Sequence, residues 1–252
     1  MVFKVFFNKI KIGKFKFKHL NQKGRGEKMK NFIDEINKKI ENKSILKHPF
    51  YQDWRSGKLT RAMLKEYAKQ YYKHVAAFPQ YLSAVHSKIN NFEDRRLVIQ
   101  NLIDEENGNK NHIQLWVNFG KALGLTKEEI RNEAAIETTN AFVNHFKSLT
   151  REGSIAEGIA ALYAYESQIP KVSEEKIHDL LNFYGVDSEQ GLEYFKVHMQ
   201  ADIEHSKAEL ALIEKYAIDE ETQQKVLGAV NATLDVYWNM LTGIQNLCMR
   251  CS

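Results

Sequence analysis

Apolar residues recur every three to four positions through most of this chain, the spacing of a helix with one buried face. Phe32, Ile33, Ile36 and Ile40 predict an amphipathic helix over 31–42. Pro49 breaks that pattern and favours an extended His48; the aromatics Phe50, Tyr51 and Trp54 then predict a short turn tucked against the core. Thr60 suits the N-cap of a long helix through Leu64, Tyr67, Tyr71 and Tyr72 to His86, kinked at Pro79. The stretch 95–119 is helical in period but is interrupted at 107–111 by Asn-Gly-Asn-Lys-Asn, a turn signal. Thr126 followed by Glu129 is a capping box for a helix reaching 149. Ser154 opens a helix that Pro170 closes, and Ser173 caps a short one ending near Gly185. A long helix is predicted over 187–216, and a last one over 220–241, apolar at Val226, Val230, Leu234 and Tyr237. No segment reads as a convincing strand. The expected fold class is all-α, a single-domain bundle of about seven helices.

Composition agrees with that pattern. Hydrophobic residues make up 43% of 252, enough for a substantial core, while Pro (3) and Gly (13) are too few for a strand-and-turn architecture. The net charge of +4 is unevenly placed. Residues 1–28 hold nine Lys/Arg and one acid, so the rest of the chain is mildly acidic and offers no broad basic face for nucleic acid. Residues 1–28 are therefore expected to be a basic extension outside the functional part, with Met29 as its start. The domain is expected over 29–244 and a tail over 245–252. No apolar run is long enough to span a membrane. Cys248 and Cys251 supply only half a zinc site. With no disulfide framework and no export signal, the cytoplasm is the expected compartment.

Candidate chemistry sits on the long helix over 187–216. Asp202 and His205, four and seven residues after His198, fall within about 40° of it on one helical face. Two imidazoles and a carboxylate there form an N/O donor set for a first-row transition metal; a solvated polar face is the alternative. Glu105 and His112, also seven apart, would share a face if the helix ran unbroken through 107–111. Glu166 is the lone acid near the end of an apolar, small-residue helix, where burial is costly unless the carboxylate is paired or binds a metal. Structural salt bridges would account for either place equally well. Glu175-x-x-His178 is the one strict match to the Glu-x-x-His motif of ferritin-like bundles, so that reading fits poorly. Tyr51 reads as core packing and Lys176 as a solvated helix residue. Tyr67, Tyr71, Tyr72, His74 and His86 read as structural lining.

The Asp-Glu-Glu-Asn-Gly…Asn-His segment ending at His112, the Tyr-Ala-Tyr-Glu-Ser-Gln run around Glu166 and the His-x3-Asp-x2-His of 198–205 together resemble the haem-oxygenase-like di-iron oxidases. Within that group the CADD-like branch (chlamydial protein associating with death domains) is nearest, with PqqC and TenA-like proteins more distant. The resemblance implies a haem-oxygenase-like bundle in which Glu105, His112, Glu166, His198, Asp202 and His205 hold two iron ions, or one iron and one manganese. It implies an oxygenase that uses O2 and an external reductant to make p-aminobenzoate for folate biosynthesis. The carbon source would be the protein's own Tyr51 and the amino donor Lys176, with Tyr165 and Tyr194 relaying an electron or radical. It also implies a host death-domain protein as a partner, with secretion into a host cell; flat helical faces suit a homodimer. The alternatives are a PqqC-like oxidase with an external substrate and a death-domain-binding protein that modulates apoptosis. A TenA-like hydrolase would need a cysteine nucleophile, and 1–247 contain none.

Overall fold

The computed structural model describes residues 22–250. Residues 1–21 of the basic extension and Cys251 lie outside them. Among the described residues there are eleven α-helices, a 3-10 turn at Ile45–Lys47 and no strand: α1 Gln22–Asn42, α2 Pro49–Arg55, α3 Arg61–Lys88, α4 Phe92–Glu106, α5 His112–Ala122, α6 Lys127–Asn132, α7 Glu137–Glu152, α8 Ile155–Glu166, α9 Ile169–Phe183, α10 Glu189–Tyr216 and α11 Glu220–Arg250. The all-α expectation holds, and the count of about seven helices is corrected upward. Two features account for much of the difference. The aromatic segment after His48 is itself a short helix, α2. The 95–119 pattern is split in two, because Gly108 adopts φ +73° and turns the chain between α4 and α5.

Helix starts follow local chemistry. Thr60, Thr126, Ser154 and Ser188 each accept a hydrogen bond from a backbone N–H of the first turn of α3, α6, α8 and α10. Pro49 and Pro170 both lie in the first turn of a helix, where a missing N–H costs nothing. Pro170 therefore opens α9 instead of closing the preceding helix, and Ser173 lies inside α9. The final helix runs on past the expected 241 to Arg250, with Cys248 buried.

The site is positioned by α10, which packs against α5, α8 and α9, with α4 alongside. Helix α8 is apolar on all sides and is buried throughout 158–166, as a helix without a polar face must be. A Cβ on its Gly158 would come 2.9 Å from Val85, so the glycine lets α8 and α3 approach closely. An aromatic core lies between α3, α7, α8 and α11, where Phe142 stacks on Tyr237 (5.0 Å) and Tyr81 on Phe146 (5.1 Å). Each such fully buried ring contributes about 1.5–3 kcal/mol.

Candidate metal centre and tyrosine–lysine pocket

Helical period alone brings His198, Asp202 and His205 to one face of α10, and that face is turned inward: all three are buried. Glu105, in the last turn of α4, and His112, the first residue of α5, do not share a helix as their spacing suggested. They meet because the chain reverses at Gly108, while Asn111 caps α5 by accepting from Gln114 N and donates through Nδ2 to Gly108 O. His112 Nδ1 thus comes to 2.8 Å from Glu105 Oε1, out of alignment for a hydrogen bond. Glu166 reaches the same region from the end of α8.

The six residues gather as two groups, Glu105 with His112 and His198, and Glu166 with Asp202 and His205. Within each group one donor atom per residue lies within 4.8 Å of the others. His112 and His198 face each other at 4.2 Å between ring centres. The Nδ1–H of His198 donates to Tyr194 O at 2.7 Å, which leaves the Nε2 lone pair free to face a cation. His205 Nδ1 lies 3.3 Å from Asp202 Oδ1 and 3.4 Å from Glu166 Oε1.

The electrostatics favour added positive charge. Burial, aided by Glu166 and Glu105, pushes the Asp202 carboxyl up to about 8, against the pull of His205. Burial disfavours charge on His205, but Asp202 and Glu166 outweigh it and raise the imidazole to about 11. Burial and the neighbouring His112 drive His198 well below its ordinary value. Asp202 Oδ2 is buried without a hydrogen-bond partner. Closely packed carboxylate and imidazole atoms with such orphaned lone pairs could hold two divalent cations, and the N/O set suits iron or manganese. Glu175 and His178 are not part of this gathering: Glu175 pairs with Arg55, and His178 is exposed beside Asp179.

A second buried constellation lies beyond the aromatic wall. Lys176 is 4% exposed and takes part in no ion pair among the described residues. Its Nζ is 2.6 Å from the Tyr67 hydroxyl and 5.1 Å from the centre of the Tyr51 ring, and Trp54, Tyr71 and Phe195 complete its surroundings. Burial holds the amine well below its ordinary pKa, which favours the neutral form with its lone pair. The hydroxyls of Tyr51 and Tyr67 are 3.2 Å apart. Tyr71 joins this pocket to the metal side: its hydroxyl is 2.7 Å from that of Tyr165 and 3.1 Å from that of Tyr237. Tyr237 is also near enough to Tyr51, and Tyr165 to Tyr194, to ease the burial-driven rise in each phenol's pKa, and the Tyr194 ring lies 4.1 Å from that of His198.

Of the four residues the resemblance names, Tyr51 and Lys176 lie together in this second pocket and Tyr165 and Tyr194 line the cavity beside the six candidate ligands; Lys176 is buried, against its reading as a solvated helix residue. Sequence reading missed Tyr67, Tyr71, Tyr237, Glu209 and Asn101. Glu209 was within reach of the same helical arithmetic, since eleven residues after His198 returns to about 20° from it. Its buried carboxyl lies against Glu166 and is pushed well up, by burial first and then by the Glu166 charge. Asn101 Nδ2 donates to both Glu166 oxygens, at 3.0 and 3.2 Å. His74, set aside as lining, is fully buried with neither ring nitrogen hydrogen-bonded, and it lines a small cavity with Tyr165, Glu166, His198 and Asp202.

Residues 34–243 match the model of the TENA/THI-4/PQQC family. The chain is 45% identical over 236 residues to the 4-aminobenzoate synthase of Chlamydia muridarum (strain MoPn / Nigg), covering 92% of this chain and 98% of that protein. Among solved structures it resembles a CADD-like protein of unknown function from Nostoc punctiforme, with TM-score 0.73 and 16% identity, covering 88% of this chain and 99% of that one. It also resembles a domain with a haem-oxygenase-like fold from Shewanella denitrificans, with TM-score 0.70 and 12% identity, covering 91% and 94%. The likeness to the Shewanella domain establishes the haem-oxygenase-like fold.

Proposed function

The chain belongs to the TENA/THI-4/PQQC family, and from that membership we propose that it is a non-haem di-iron oxygenase that makes 4-aminobenzoate from its own Tyr51. The catalytic domain on this reading is 29–244. One observation carries it: two groups of buried carboxylate and imidazole side chains lie one layer of tyrosines away from a buried lysine that makes no ion pair among the described residues and packs over a phenol ring. The 45% identity to a 4-aminobenzoate synthase supports the same product.

In this reading Glu105, His112 and His198 hold one metal, and Glu166, Asp202 and His205 the other. Two iron ions, or iron and manganese, supply the capacity to activate O2 with electrons from an external reductant, which no side chain provides. The protein's own part is placement. Trp54, Phe195 and the tyrosine rings keep water from Tyr51 and Lys176. Desolvation favours the unprotonated Lys176 amine, the form a nitrogen donor needs. The hydrogen-bonded hydroxyls of Tyr165, Tyr71 and Tyr237, with Tyr194 near one end and Tyr51 near the other, offer a route along which a proton and an electron can pass towards Tyr51.

The test is 4-aminobenzoate release, measured by mass spectrometry after O2 and a reductant are given to anaerobic Fe(II)-loaded protein made with ring-13C tyrosine. Labelled product is expected from wild type and from neither Tyr51→Phe nor His198→Ala. Undiminished product from Tyr51→Phe would move the carbon source to another tyrosine. Product seen only when a small molecule is added would favour a PqqC-like oxidase instead.

A further inference from the structure

Each metal-binding histidine must present a lone pair inward, so its proton needs somewhere else to go. For His198 the helix itself provides the acceptor, the Tyr194 carbonyl one turn back. His205 has no such backbone partner. Its inward nitrogen, Nδ1, faces Asp202 at 3.3 Å and Glu166 at 3.4 Å, two carboxylates that would both accept a proton from it. In that tautomer Nδ1 would have no lone pair to offer, and one carboxylate would be occupied by the bond. The outward nitrogen, Nε2, lies 3.1 Å from Oδ2 of Asp104, a residue assigned no role above. Gln100 Nε2 donates to the other Asp104 oxygen at 3.2 Å and steadies the carboxylate.

We infer that Asp104 is a positioning residue for the metal centre. It accepts the Nε2–H of His205 and so fixes the tautomer that turns the Nδ1 lone pair towards a cation shared with Glu166 and Asp202. The inference rests on the reading of those three residues as metal ligands. A carboxylate behind a ligating histidine sets both its ring orientation and its basicity, and removing such a partner typically weakens metal binding 10- to 100-fold. The effect is confined to one of the two positions, because His198 obtains its acceptor from the backbone and His112 makes no contact with Asp104 among the described hydrogen bonds and ion pairs. Asp104 is also partly exposed, at the rim of a surface groove with Ile103, Lys110 and Gln200, so replacing it opens no cavity in the core.

The experiment titrates full-length metal-free protein with Mn(II) under anaerobic conditions, against a competing chelator, with bound metal counted directly. Wild type is expected to take up two equivalents. Asp104→Ala should keep one at wild-type affinity and bind the other 10- to 100-fold more weakly. His205→Ala should lose that same equivalent. Asp104→Asn, whose amide oxygen still accepts from Nε2–H, should recover most of the loss. An Asp104→Ala isotherm identical to wild type would overturn the inference. So would equal weakening of both equivalents together with a lowered melting temperature of the metal-free protein, or an Asn variant as weak as Ala. A wild type that binds no metal would instead overturn the reading of the metal centre itself.

Discussion

Replacing Lys176 with methionine should change how stability depends on pH, and in a direction the burial dictates. In the unfolded chain the amine titrates near 10.5; in the fold, desolvation holds it well below that value. Between the two values the unfolded state binds one more proton than the native state. Native stability therefore rises with pH across that window and is lost as pH falls. Each pH unit contributes about 1.4 kcal/mol. From pH 8.5 to 9.5 wild type should thus gain up to about 1.4 kcal/mol relative to Lys176→Met, whose thioether does not titrate. Methionine also leaves the Tyr67 hydroxyl without the amine 2.6 Å away, an offset of about 1 kcal/mol that does not vary across these pH values. Slope and offset are therefore separable. The assay is urea unfolding of both metal-free proteins at the two pH values. Parallel pH dependences would mean that the lysine is charged in the fold, and the argument that it is a ready nitrogen donor would fail with them.

Loading the centre should stabilise the protein, by about 2.7 kcal/mol per site at free metal a hundred times Kd, and a chelator should reverse the gain in thermal melts. Tyr71→Phe removes the hydroxyl between Tyr165 and Tyr237 and leaves buried partners unmet, at a cost of about 1–3 kcal/mol in urea unfolding. It should also cut 4-aminobenzoate yield while leaving metal content intact; undiminished yield would remove Tyr71 from the path. On α11, a Cβ at Gly243 would overlap the Thr138 side chain, whereas at Gly228 it would meet nothing within 4 Å. Gly243→Ala should therefore destabilise by about 1–3 kcal/mol, and Gly228→Ala should stabilise by up to about 1 kcal/mol, both read from denaturant midpoints.

Features set by neighbours in sequence were legible in the sequence. The caps at Thr60, Thr126 and Ser154 depend on residues within three positions, and they occur where expected. His198, Asp202 and His205 share a face because helical geometry is rigid over two turns. Glu166 stood out because an acid in an apolar helix has to be compensated. Where a local signal was ambiguous, the structure corrected it: proline marks a helix start as readily as an end, and Pro170 opens α9.

Tertiary structure alone decided what depends on distant pieces of chain. Glu105 meets His112 across a turn, where an unbroken helix would have placed them by period. The charge on Lys176 is disfavoured only because α2, α3 and α10 close aromatic rings around it; the same residue on an open helix would be an ordinary solvated lysine. Tyr71 finds Tyr165 and Tyr237 from 94 and 166 residues away. Helical period reports which residues share a face. Which faces meet, and what is desolvated between them, is settled by packing the whole chain, because burial is a property of the assembled core.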